Sequence, residues 1–152
     1  MRLVLFLCTG NYYRSRFAEE LFNHRAPVEC PGWQADSRGL AVDPGSNNVG
    51  PVAASTAAAL AARGLAFERR LARKPLQAAT SDFDDADHVV ALKRSEHLPL
   101  FRERFPSWFA GAGAGRVEFW EVHDVDVARP EEALPQIEAE VGALMTRLAR
   151  SR

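Results

Sequence analysis

Cys8 and Arg14 bracket the segment Cys8-Thr9-Gly10-Asn11-Tyr12-Tyr13-Arg14-Ser15, a nucleophile and a guanidinium separated by five residues. In an arginine-rich chain such a pair is weak evidence alone, and its surroundings give it force. Arg2 to Leu7 is aromatic, β-branched and leucine-rich without alternation, as in a strand buried on both faces. After the segment, Phe17, Ala18, Leu21 and Phe22 set one apolar stripe on a helix expected to reach Arg25 and to stop at Pro27. A loop between a buried strand and a helix N-terminus points successive N–H groups into one concavity, where the helix dipole adds positive potential. That geometry binds a tetrahedral oxyanion.

Within the loop, Gly10 and Asn11 tolerate the left-handed or tight backbone that a curl requires. Arg14 offers a planar fork to two phosphate oxygens, which lysine cannot reproduce. The same positive field favours an ionised Cys8 sulfur, and Ser15 stands ready to donate a hydrogen bond to it. Thr9, Gly10, Asn11, Tyr12, Tyr13 and Ser15 are therefore expected to line the phosphate site, with Tyr12 and Tyr13 divided between packing and pocket wall.

The rest of the chain supplies the scaffold. Trp33 to Ser37 is a short second strand, and Pro51 to Ala62 a helix ended by Gly64. Leu65 to Leu76 is a weak segment, and Asp82 to Asp87 reads as a solvated acidic loop. His88 to Leu92 is a further strand and Ser95 to Phe105 a helix, with Trp108 and Phe109 a hydrophobic flap over the core. Gly111 to Gly115 reads as a flexible linker, Val117 to Trp120 as the last strand, and Pro130 opens a final amphipathic helix. This βα alternation predicts a single-domain α/β fold over residues 1–152, with a four-stranded parallel sheet covered by helices on both faces. Ligands of such sheets sit beyond the carboxyl ends of the strands, where Cys8 lies.

Composition agrees with a compact enzyme or binding domain: 152 residues, 47% hydrophobic, 26% charged and a net charge of -1. The charge balance argues against a nucleic-acid or membrane-surface partner. Cys8 and Cys30 are too few for a disulfide scaffold or a four-cysteine zinc site, and His24, His88, His97 and His123 show no ligand spacing. No metal or cofactor is expected. The apolar run Leu3 to Leu7 is too short for a signal peptide, so a cytoplasmic location is expected. A monomer or weak dimer is the expected assembly.

Cys-Thr-Gly-Asn-x-x-Arg-Ser followed by Ala18-Glu19 resembles the phosphate loop of the low-molecular-weight protein tyrosine phosphatases. Ala35-Asp36-Ser37-Arg38-Gly39 is similar to the family's Ser-Ala-Gly segment, with Arg38 in place of Ala, and Ala86 to Leu92 to its penultimate strand. The resemblance implies hydrolysis of phosphomonoesters, from phosphorylated protein or small esters, through a phosphocysteine. It implies that Ser37 supports the loop, and that an aspartate beyond the last strand serves as acid and then base. Asp124, four residues after Trp120, matches that position; Asp126 is the reserve, because Val125 replaces the family's Pro and the aromatic pair beyond is missing. Tyr13 stands where many members carry a second cysteine, so Cys8 lacks an in-loop disulfide partner and peroxide should inactivate it without that rescue.

Other functions compete. An arsenate reductase-like thiol oxidoreductase needs relay cysteines, and only Cys30 is available. A non-catalytic phosphate-binding regulatory domain is permitted by the altered acid segment. A phosphocysteine carrier is disfavoured by Arg14, and a P-loop nucleotidase by the lack of Gly-x4-Gly-Lys-Ser/Thr. The bland alternatives are an inert Cys8 thiol, a solvated Arg14, a passive loop or surface Cys30 and a turn aspartate at 124.

Overall fold

The computed structural model describes residues 1–45, 52–65, 73–111, 113–122 and 130–150. In chain order these form β1 (Arg2–Cys8), α1 (Arg14–Glu29), β2 (Trp33–Gly39), α2 (Ala54–Ala62), α3 (Thr80–Asp85), β3 (His88–Ala91), α4 (Arg94–Arg104), α5 (Pro106–Ala110), β4 (Val117–Phe119) and α6 (Pro130–Arg150). The sheet has four strands in the order β2-β1-β3-β4, every pairing parallel. Both faces are covered, which is why β1 and β3 lack polar alternation. Val4, Phe6 and Val90 point into the cluster under α1 and α6, while Leu5, Leu7, Val89 and Ala91 point into the cluster under α3, α4 and α5.

Strand order dictates where the site lies. β1 connects outward to β2 on one side, whereas β3 lies on its other side, so the chain changes direction across the sheet between β1 and β3. The segments leaving the carboxyl ends of these two strands face a common crevice. One carries Cys8 and the start of α1; the other carries Lys93 and the first turn of α4.

Several local expectations are corrected. Pro27 does not end α1, which continues to Glu29. Proline forfeits the bond to the carbonyl one turn back, but Ala26 and Cys30 are buried in the core and the Cys30 N–H closes on the Ala26 carbonyl at 2.9 Å. α2 begins at Ala54, because the Ala53 N–H is drawn to the Tyr12 carbonyl at 2.9 Å; Pro51 lies outside the described residues. The acidic stretch is not a loop: Thr80–Asp85 is helical, with Asp82 accepting the Ala79 N–H at 2.8 Å and Phe83 fully buried among aromatic rings. Nor is the glycine run slack. Gly113–Gly115 is a 3-10 turn, and a Cβ on Gly113 would stand 2.4 Å from the Trp108 ring. Trp108 in turn lies over Phe83, ring centroids 4.6 Å apart, as expected of a cover on the core.

Candidate active site

Cys8 is the last residue of β1, and its Sγ lies 2.9 Å from the Ser15 Oγ on the first turn of α1. Between them the chain curls with four of its carbonyls engaged by residues beyond the loop. Those of Cys8 and Thr9 accept from the N–H groups of Leu40 and Ala41 at 2.9 and 3.0 Å. The Tyr12 carbonyl accepts from Ala53, and the Tyr13 carbonyl accepts from the Thr56 hydroxyl at 3.3 Å. In a trans peptide the following N–H points opposite to the carbonyl, so these bonds turn the amides of Thr9, Gly10, Tyr13 and Arg14 away from the partners of those carbonyls. Of the two residues expected to bend the loop, Asn11 takes the left-handed conformation, at φ 52.

Asn11 is the hub of a buried polar network. Its Nδ2 donates to the Ser15 Oγ and to the Ser37 Oγ, each at 2.9 Å. Its Oδ1 accepts from the Leu76 N–H at 3.0 Å and from Arg73 Nη1 at 3.1 Å. Strand parity places Ser37: Trp33, Ala35, Ser37 and Gly39 face α1, and the Ser37 hydroxyl donates to Glu19 Oε1 at 2.6 Å. Arg73 Nη2 donates to the same Glu19 oxygen at 3.2 Å and to Ser37 Oγ at 3.1 Å. Arg16 completes the network through the Arg73 carbonyl at 2.8 Å; burial and the Arg73 charge push its pKa below the ordinary value against the pull of Glu19 and Glu20. Left-handed asparagine is thereby held on every polar atom of its side chain.

On the crevice side stands a different pair. Arg14 is 3% exposed, not a solvated charge, and its Nη1 meets Glu96 Oε2 at 3.1 Å. Its Nη2 donates to Glu96 Oε1 at 3.2 Å, and the Thr9 hydroxyl donates to that oxygen at 2.6 Å. Burial raises the Glu96 pKa, but the hydrogen bonds from Arg14 and Thr9, with the Arg14 charge, outweigh it and hold the carboxyl below the ordinary range. Beside it, His97 is fully buried with Nδ1 accepting the Lys93 N–H at 3.0 Å. Burial, reinforced by the Arg14 charge, lowers its pKa to about 3, so the ring is neutral.

The chain from residue 3 to 152 matches the family model for low molecular weight phosphotyrosine protein phosphatase. It belongs to that family. The fold is similar to YfkJ from Bacillus subtilis, with TM-score 0.81 and 23% identity over 100% of this chain and 97% of that one. It is also similar to SP-PTP, a low molecular weight protein tyrosine phosphatase from Streptococcus pyogenes, at TM-score 0.76 and 18% identity over 97% and 93%. YwlE arginine phosphatase from Geobacillus stearothermophilus matches at TM-score 0.69 and 24% identity over 99% and 92%. No curated protein sequence matches. Membership of this phosphatase family supports a cysteine-based phosphatase with phosphorylated substrates.

Within this phosphatase family member, Thr9 and Arg14 stand on the crevice side of the loop, Cys8 and Ser15 meet at its base, and Asn11 and Ser37 are buried behind it. Tyr12 is partly buried against the core, and Tyr13 buries its ring in the core, leaving its backbone to the loop. His123, Asp124 and Asp126 lie outside the described residues. Cys30 is a core residue at the far end of α1, not a surface thiol, and burial pushes its pKa up. Sequence reasoning missed Glu96, Arg73 and Arg16, and met Glu19 and Gly39 only inside the family-like segments, without a role. Gly39 alone left a readable signal, a glycine closing a strand; a Cβ there would lie 2.7 Å from the Thr9 carbonyl oxygen and 3.1 Å from the Asn11 nitrogen. Among the described residues no cluster of metal-ligating side chains occurs, and no helix is long and apolar enough to cross a membrane.

Proposed function

We propose that this chain hydrolyses phosphomonoesters, with protein phosphotyrosine the favoured substrate, through a phosphocysteine. The Cys8 thiolate attacks phosphorus from beneath the loop while Arg14 and the loop amides of Thr9 to Ser15 hold the phosphoryl oxygens. The bond to the leaving oxygen breaks, and Asp124, with Asp126 in reserve, supplies that oxygen's proton. Water then attacks the phosphocysteine, the same carboxylate takes a water proton, and inorganic phosphate leaves with the Cys8 thiolate restored. Charge on the transition state is met by fixed donors that need no reorganisation.

The observation carrying this reading is the Cys8 Sγ at 2.9 Å from the Ser15 hydroxyl, at the base of a loop whose carbonyls are engaged elsewhere. Because the Ser15 oxygen already accepts from Asn11 Nδ2, its proton is left to point at the sulfur, where it steadies a thiolate. An internal thiol relay is disfavoured for a second reason. Cys30 follows the C-terminus of the 16-residue α1, whose start adjoins Cys8, and such a helix spans about 24 Å.

The test is p-nitrophenyl phosphate turnover by the wild type and by Cys8→Ser, with phosphotyrosine and phosphoarginine peptides compared on the wild type. A fall of at least about 10⁴-fold in the variant is expected, with phosphotyrosine the better substrate. Retained turnover in Cys8→Ser overturns the nucleophile, and a preference for phosphoarginine overturns the substrate class.

A further inference from the structure

The Glu96 carboxylate is held entirely by groups assigned above to the phosphate. Oε2 pairs with Arg14 Nη1 at 3.1 Å; Oε1 accepts from Arg14 Nη2 at 3.2 Å and from the Thr9 hydroxyl at 2.6 Å. Among the described residues this carboxylate has no other hydrogen-bond partner. Its side chain is 31% exposed, and it rises from the first turn of α4 at the mouth of the crevice. A carboxylate is itself an oxyanion, and this one collects the arginine fork and a loop hydroxyl as two phosphoryl oxygens would.

We infer that Glu96 is a resident competitor of the substrate: it occupies the Arg14 fork before substrate arrives and swings outward when a phosphoryl group takes its place. The inference rests on reading the Cys8 loop as a phosphate cradle. One edge of a guanidinium serves one anion at a time, and a dianion drawn against an ionised carboxylate is repelled by it. Among the described residues no other hydrogen bond retains Glu96 once its donors are claimed, and solvent is open to it. The exchange has two effects. It keeps a buried guanidinium paired at the cation-unfriendly N-terminus of α1, whose first turn carries no acidic residue. It also weakens the hold on every oxyanion, including product phosphate, and so speeds release.

Inorganic phosphate binding to the full chain, by titration calorimetry, tests the exchange, with KM and kcat for p-nitrophenyl phosphate measured on the same preparations. Glu96→Gln keeps the shape and removes the charge. It should tighten phosphate by about fivefold to twentyfold and lower KM in parallel. Glu96→Asp keeps the charge but shortens the reach and should fall between. A carboxylate whose task is to orient Arg14 predicts the opposite sign, so weaker phosphate or a raised KM in Glu96→Gln overturns the inference, as does unchanged affinity. Should the wild type turn over p-nitrophenyl phosphate yet Glu96→Gln fail to tighten phosphate, only this inference falls. Should the wild type neither bind phosphate nor turn over, the cradle reading falls and takes the inference with it.

Discussion

Two glutamate–arginine pairs flank the loop that follows β1, and they differ in what else holds them. Behind the loop, Glu19 is 2% exposed and shares one oxygen between Arg73 and the Ser37 hydroxyl, inside a network that reaches Asn11 and Arg16. At the crevice, Glu96 meets only Arg14 and Thr9 among the described residues, with a third of its side chain in solvent. The first carboxylate is tied to groups that no substrate would claim, and the second only to groups that a phosphate would claim. Identical chemistry therefore serves as scaffold in one place and as a displaceable partner in the other, and the count of independent anchors decides which.

Replacing Arg14 by lysine keeps the charge and removes the fork. Turnover of p-nitrophenyl phosphate should fall about 10²- to 10³-fold, with only a small shift in the urea midpoint, because lysine keeps a positive charge beside Glu96. A large loss of stability instead would erase the distinction between the pairs.

The distinction is sharpest in stability. Glu19→Ala removes a carboxylate 2% exposed that holds both Arg73 and the Ser37 hydroxyl, and should cost about 3–4 kcal/mol; Glu96→Ala removes a carboxylate 31% exposed from a buried arginine and should cost less, about 1–2 kcal/mol. Urea unfolding of both variants measures this, and equal losses would contradict it.

Gly39→Ala probes the backbone that presses on the loop. Its Cβ would sit 2.6 Å from a Val42 methyl and 2.7 Å from the Thr9 carbonyl oxygen, so β2 or the loop must shift. A cost of about 1–3 kcal/mol is expected, with a lowered kcat from a displaced cradle, read by thermal melting and steady-state kinetics.

The smallest effect concerns pH. His97 is neutral in the fold with its pKa lowered from 6.5 to about 3. Above pH 6.5 folded and unfolded chains are both neutral there. As pH falls below 6.5, the unfolded chain takes up a proton that the folded chain refuses, and stability declines by up to about 1.4 kcal/mol per pH unit until the folded pKa is reached. His97→Asn removes this slope, so its loss of stability between pH 7 and 5 should be smaller than that of the wild type by roughly 1–2 kcal/mol. An unchanged difference in urea midpoint would show that the ring is protonated in the fold.

Reading the chain in order recovered what is local. The buried β1, the stripe Phe17-Ala18-Leu21-Phe22 and the loop from Cys8 to Ser15 follow from periodicity and residue type over a few neighbours. So did the parallel four-stranded sheet, because βα alternation admits few other solutions. Errors arose where a distant contact outweighed local preference. Pro27 is carried through by core burial of Ala26 and Cys30, Asp82 to Asp85 are made helical by Phe83 finding the aromatic cluster, and the glycine run is pinned by Trp108.

The amino-acid sequence by itself determined that Cys8, Arg14 and the bend between them stand together at the junction of β1 and α1, since these lie within eight consecutive residues and depend on short-range geometry. Only the tertiary structure decided which groups surround them. Glu96 is 82 residues from Arg14, and Arg73 is 62 from Asn11. Glu96 meets Arg14 because β3 lies on the other side of β1 and delivers α4 to the crevice, whereas Arg73 meets Asn11 because the segment that follows it bridges to Gly39 at the end of β2; no pattern along the chain encodes which side chain will stand opposite a given charge.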